Sequence, residues 1–145
     1  MRNRTVKIKS GFNVLAWPLL LWPLLSFPAD ESTMPPGPSA KTLMTQDLVS
    51  GPNKEVVMLE LAYPAGGASL PHRHDAQVFV YVLEGELTMQ VQGGQTVTLR
   101  PGQPFYEAPA DIHLVSANGS KTSAARFLVV MIKDKGTPVS KPVAR

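Results

Sequence analysis

Beyond residue 54 apolar and polar side chains take turns along the chain. From Glu86 to Gln92, Leu87, Met89 and Val91 fall on one side of a period of two, and Thr88, Gln90 and Gln92 on the other. In an extended strand that spacing separates a buried face from a solvated one. Gly93-Gly94 then closes a tight hairpin to residues 95–99, whose Val97 and Leu99 continue the inner face. Residues 55–63, rich in Val, Met and Leu, form an earlier strand that ends at Pro64. Residues 77–83 are almost continuously apolar, the signature of a strand buried on both faces. Residues 105–107, 113–117 and 125–132 supply the later strands, and no segment holds a helical period of useful length. Many short strands separated by turns predict an all-β sandwich or barrel of antiparallel strands.

The pattern before residue 54 is different. Arg2, Arg4, Lys7 and Lys9 precede an apolar run from Phe12 to Phe27, which reads as a secretory signal peptide over residues 1–29. The run is short and holds Pro18 and Pro23, so a stable membrane span is not expected once the signal is cleaved. Ala29 suits the position before the cut, but Phe27 is bulky for the position two before it, so an uncleaved anchor is the alternative. Residues 30–41 include Met34-Pro35-Pro36-Gly37-Pro38-Ser39 and predict an extended linker. Residues 42–135 form the folded domain, with 42–50 as a candidate edge strand, and 136–145 a flexible tail. The expected location is periplasmic or secreted, or membrane-anchored if the signal stays.

With 145 residues the chain is long enough for one core. Its 14 basic and 11 acidic residues give +3, but the first segment holds four of the basic ones, which leaves the remainder near −1. Nucleic acid is therefore not an expected partner, since that needs a basic stripe. With no cysteine, a thiol nucleophile and thiolate metal ligands are both excluded.

The chain has three histidines, and their spacing suits one metal ion. His72 and His74 form an H-x-H pair, and in a strand residues i and i+2 share a face. His113 follows after two glycine turns and can add a third imidazole from a distant strand. Neutral imidazole is the commonest protein ligand for such metals. Arg73 should point the other way, paired with a carboxylate such as Asp75.

These residues sit in segments that resemble the two motifs of the cupin family. Gly66-Gly67-Ala68-Ser69-Leu70-Pro71-His72-Arg73-His74 and Val80-Tyr81-Val82-Leu83-Glu84-Gly85-Glu86-Leu87 are similar to the first motif. Arg100-Pro101-Gly102, Phe105-Tyr106-Glu107-Ala108-Pro109, His113 and Asn118 are similar to the second. The resemblance covers about residues 55–132 and implies a jelly-roll β-barrel, one divalent transition metal (Fe, Mn, Ni or Zn) on His72, His74 and His113, and a homodimer. One departure is chemical. The family's glutamate ligand lies seven residues before the motif glycine, and here that position is Val78. Three arrangements remain open: Gln77 through its amide oxygen if a bulge re-aims it, Glu107 as ligand, water holder or proton shuttle, or a plain three-histidine site. Asp111 also replaces an expected glycine, and Asn118 stands one residue late.

Inward members of Val78, Val80 and Val82 should wall an apolar pocket suited to a small organic molecule with one polar end. The expected function is that of an exported metal-binding enzyme of dioxygenase, isomerase or decarboxylase/lyase type. A non-catalytic periplasmic metal- or ligand-binding module is the alternative from another class, and a barrel whose histidines bind nothing is a third.

Overall fold

The computed structural model describes residues 34–143, and every regular element in that range is a strand. The segment expected as a signal peptide, residues 1–29, lies outside the described residues. The strands are β1 (Ser39–Asp47), β2 (Lys54–Tyr63), β3 (His72–Arg73), β4 (Ala76–Glu84), β5 (Leu87–Val91), β6 (Val97–Leu99), β7 (Pro104–Glu107), β8 (Ile112–Asn118), β9 (Ala125–Asp134) and β10 (Lys141–Pro142). They form two five-stranded sheets, β1-β2-β9-β4-β7 and β10-β3-β8-β5-β6, with antiparallel pairing throughout. This is the jelly-roll sandwich that the strand pattern and the motifs predict. Among the described residues no helix is long and apolar enough to cross a membrane.

The inner faces meet in one core. β4 contributes Ala76, Val78, Val80 and Val82, and β9 contributes Ala125, Phe127, Val129 and Met131, every second residue in each case. Leu87, Met89 and Leu99 answer from the second sheet. Each buried aliphatic side chain of this kind contributes about 1.5–3 kcal/mol relative to exposure. The expectation of a doubly buried strand at 77–83 needs correction. In β4 only one face is covered, and Phe79 and Tyr81 stand 43% and 47% exposed on the other. An antiparallel sheet in a two-layer sandwich needs only one buried face, so aromatic residues on the outer side mimic a buried run in sequence.

Gly85 makes the step from β4 in one sheet to β5 in the other. Its φ is +75°, and a Cβ there would lie 2.6 Å from the Ala124 carbonyl oxygen, so a side chain is excluded twice over.

Both ends of the domain are more ordered than their composition suggests. β1 begins at Ser39, inside the segment read as linker, and pairs with β2 as an edge strand with an irregularity between Thr42 and Met44. Just before it, the Pro36 carbonyl accepts the Ala68 N–H at 3.0 Å. At the other end, Lys141 and Pro142 of the segment read as a tail pair with Arg73 and His72. The Val143 N–H continues toward the Pro71 carbonyl at 3.4 Å. A two-residue strand carries no periodicity, so composition alone made that segment look loose.

Candidate metal centre

β3 is short but central in its sheet, between β10 and β8. His72 on β3 is in register with His113 on β8, and His74 follows immediately after β3. The rings of His72 and His74 lie 4.8 Å apart, and those of His72 and His113 5.2 Å apart. One nitrogen from each of the three histidines lies within 4.8 Å of the others. Arg73 is exposed. Asp75, expected as a partner for Arg73, instead takes Lys141 from β10.

Backbone carbonyls orient two of the rings. His72 Nδ1 bonds the Leu70 carbonyl at 2.7 Å, and His74 Nδ1 bonds the Val139 carbonyl just before β10. A carbonyl only accepts, so each Nδ1 carries the proton and each Nε2 presents a lone pair. Carbonyls holding the far side of metal-binding imidazoles are a recurrent arrangement. Burial also holds the His72 imidazole below the usual histidine range, against the opposing pull of its Leu70 hydrogen bond. That favours the neutral, ligating form.

Glu107 joins this cluster and Gln77 does not. Glu107 ends β7 with only 2% of its surface exposed. Its Oε2 lies 3.1 Å from His113 Nδ1 and 3.7 Å from His74 Nε2. Neither Oε2 nor His113 Nε2 has a hydrogen-bond partner. The 3.1 Å contact is therefore close without N–H···O alignment, as when two donor atoms face a common third atom. Glu107 is also the register partner of Val78 on β4. Its carboxylate thus rises from directly across the strand pair from the residue that stands in the family's glutamate position. Gln77, offered as an amide ligand, lies on the opposite, exposed face of β4. Pairing of β4 with β9 runs without interruption from Ala76 to Val82, so no bulge turns Gln77 inward.

The histidines and Glu107 line a cavity of about 570 Å³, inside the range of about 300–1,000 Å³ usual for small-molecule sites. Its walls include Leu59, Leu61, Val78, Val80, Phe127, Val129 and Met131, and its rim includes Met34, Pro35, Pro38, Val139 and Pro142. Three hydroxyls face one another in it: Tyr63 OH sits 2.6 Å from Ser69 Oγ and 2.8 Å from Ser116 Oγ. Burial pushes the Tyr63 phenol upward, partly offset by those hydrogen bonds. Sequence reasoning missed this hydroxyl group and the Val139 carbonyl. Tyr63, Ser69 and Ser116 follow no motif spacing, and a backbone acceptor leaves no trace in residue type. Asn118, noted from the second motif, serves the frame. Its side chain donates to the Pro64 and Ser123 carbonyls at 2.9 and 2.7 Å and accepts the Ser120 N–H at 2.9 Å.

The donor set fits a first-row divalent metal. Three imidazoles are suitable ligands, and a buried carboxylate oxygen without a partner beside them calls for a cation.

A family model described as "Cupin domain" matches residues 59–131. Among solved structures, a cupin domain from Bordetella pertussis Tohama I is 23% identical, covers 68% of this chain and 96% of its own, and has a TM-score of 0.54. The DMSP lyase DddQ from Ruegeria pomeroyi DSS-3 is 19% identical over 73% of this chain and 51% of its own, with a TM-score of 0.60. The polyketide cyclase RemF from Streptomyces resistomycificus is 24% identical over 77% and 76%, with a TM-score of 0.57. A search of curated proteins returned no match.

Proposed function

The chain belongs to the cupin family, and from that premise we propose that it is an exported metal-dependent enzyme acting on a small molecule. His72, His74 and His113 supply three donors and Glu107 the fourth. The observation that supports this set is the buried, unpartnered Oε2 of Glu107 beside nitrogens of two of the histidines. The lyase and the cyclase among the structural neighbours are enzymes, which favours catalysis over simple binding. A bound divalent metal supplies Lewis acidity or, as iron, oxygen chemistry. The chain's own residues do the rest. The Leu70 and Val139 carbonyls hold two imidazoles in the ligating tautomer, and the apolar walls offer a hydrocarbon surface beside the reacting end. Glu107 supplies the sole carboxylate among the described residues lining the cavity, so a proton released there by substrate goes to its carboxylate oxygen that does not face the metal. Dioxygenase, isomerase and decarboxylase reactions all fit such a centre. Residues 1–29 direct export to the periplasm or beyond, and the working form is a homodimer, as the family resemblance implies.

Elemental analysis of the full-length chain beside its His113→Ala variant tests this reading. Near-stoichiometric metal that disappears in the variant is the expected result. Iron then directs assays to oxygen consumption, and manganese, nickel or zinc to lyase, isomerase and decarboxylase substrates. No metal in either protein after loading without oxygen refutes the proposal.

A further inference from the structure

We infer that the cavity takes a ligand with one neutral or singly charged chelating head on an apolar body, and that it excludes dianions. The inference rests on the metal reading above and narrows its substrate class.

Charge leads to it. Among the described residues lining the cavity there is no lysine and no arginine, and the sole carboxylate is Glu107. Three neutral imidazoles, one carboxylate and a divalent metal sum to a single positive charge. A monoanionic head brings that total to zero. A dianion leaves a net negative charge inside apolar walls with no cation to meet it, and burying uncompensated charge is strongly unfavourable.

Hydrogen bonding leads the same way. The wall hydroxyls of Tyr63, Ser69 and Ser116 already bond one another at 2.6 and 2.8 Å. They offer little to a second polar group on the ligand. Apart from Ser140 and the thioethers of Met89 and Met131, the rest of the wall, including Leu61, Val80, Phe127 and Val129, is apolar and carries no charge. The centre thus has one polar end, and the remaining volume suits an apolar body.

The test uses the cobalt(II)-loaded full-length chain, whose visible spectrum reports ligands entering the metal's coordination. Acetohydroxamate, butyrohydroxamate, hexanohydroxamate and octanohydroxamate share one monoanionic head and differ only in apolar length. The dissociation constant should fall by roughly fourfold per added methylene until the cavity is full. Oxalate, scaled to its affinity for aqueous cobalt, should be disfavoured at least tenfold more than acetohydroxamate. A flat hydroxamate series, or oxalate bound without that penalty, overturns the inference while leaving the metal site standing. Failure of cobalt to bind, with no difference between the chain and its His113→Ala variant, overturns the metal reading and this inference with it. A second variant tests the charge argument. Leu61 is only partly buried, and Leu61→Arg sets a cation in the wall. It should remove the oxalate penalty and flatten the hydroxamate series, and an unchanged preference refutes the charge argument.

Discussion

Glu107→Gln should move stability and metal affinity in opposite directions. In the metal-free protein the Glu107 carboxylate is 3% exposed at its side chain with an unpartnered Oε2. A buried ion in such a place costs several kcal/mol even after relaxation. Glutamine keeps the volume and removes the charge, so the metal-free variant should be more stable by about 1–3 kcal/mol. With metal the sign reverses. Loss of a donor or orienting carboxylate should weaken binding by roughly 10–100-fold, about 1.4–2.7 kcal/mol. Thermal unfolding in excess chelator reads the first quantity, and competition against a chromogenic chelator reads the second. A variant that is less stable without metal and binds metal as before would falsify the role given to Glu107. It would then be an ordinary structural polar group. The paired change Val78→Glu with Glu107→Val carries the argument further. The two positions face each other in register across β4 and β7, so their Cβ atoms lie about 4.5–5.5 Å apart on one face. Moving the carboxylate to its family position should restore affinity to within about tenfold of the unmodified chain. A folded double variant that binds no better than Glu107→Gln rules out equivalence of the two positions.

Two further predictions concern the frame. Ending the chain after Gly136 removes β10 and the Val139 carbonyl that holds His74 Nδ1, so metal affinity should fall by roughly 10–100-fold while the far hairpin of β5 and β6 keeps its amide protection. Unchanged affinity in chelator competition sinks the idea that this segment orients His74. Tyr63 sets an alkaline limit. Its folded pKa lies above the ordinary value of 10.0, so the stability it contributes is present below pH 10 and is lost as pH rises through the folded value. Tyr63→Phe should therefore cost about 1–2 kcal/mol at neutral pH, from the hydroxyl contacts to Ser69 and Ser116, yet flatten the fall above pH 10. An equally steep alkaline fall in the variant assigns that limit to another group.

How much of this was legible in sequence depends on the length scale of each signal. β5 and its Gly93-Gly94 turn follow directly from strict alternation, because one buried face leaves a period of two. The three histidines were legible for a similar reason, since two share a strand spacing and the third lies in a recognisable motif. β4 was misjudged because an exposed aromatic and a buried one are the same letter. β1 was legible in part, as the candidate edge strand at 42–50, while its start and β10 were obscured by proline, serine and lysine, which edge pairing tolerates because it needs no apolar stripe.

The proposed fourth donor, Glu107, was a candidate in the sequence, but its place beside Val78 was not legible there. From β4 alone the choice lay between Val78, which has no donor atom, and Gln77, which faces outward. Neither serves. The register between β4 and β7 brings position 107 beside position 78, and no interval along the chain encodes that register. A binding point in a barrel is a location in space reached by several strands, so a donor lost on one strand can be supplied by the facing residue of its neighbour. Glu107 sits six residues before His113, on a different strand and in a different sheet, and only the pairing of both sheets around one cavity brings the two to 3.1 Å. A motif scan that demands the glutamate at its usual interval therefore passes over Glu107, whereas one that also examines the cross-strand partner of Val78 finds it.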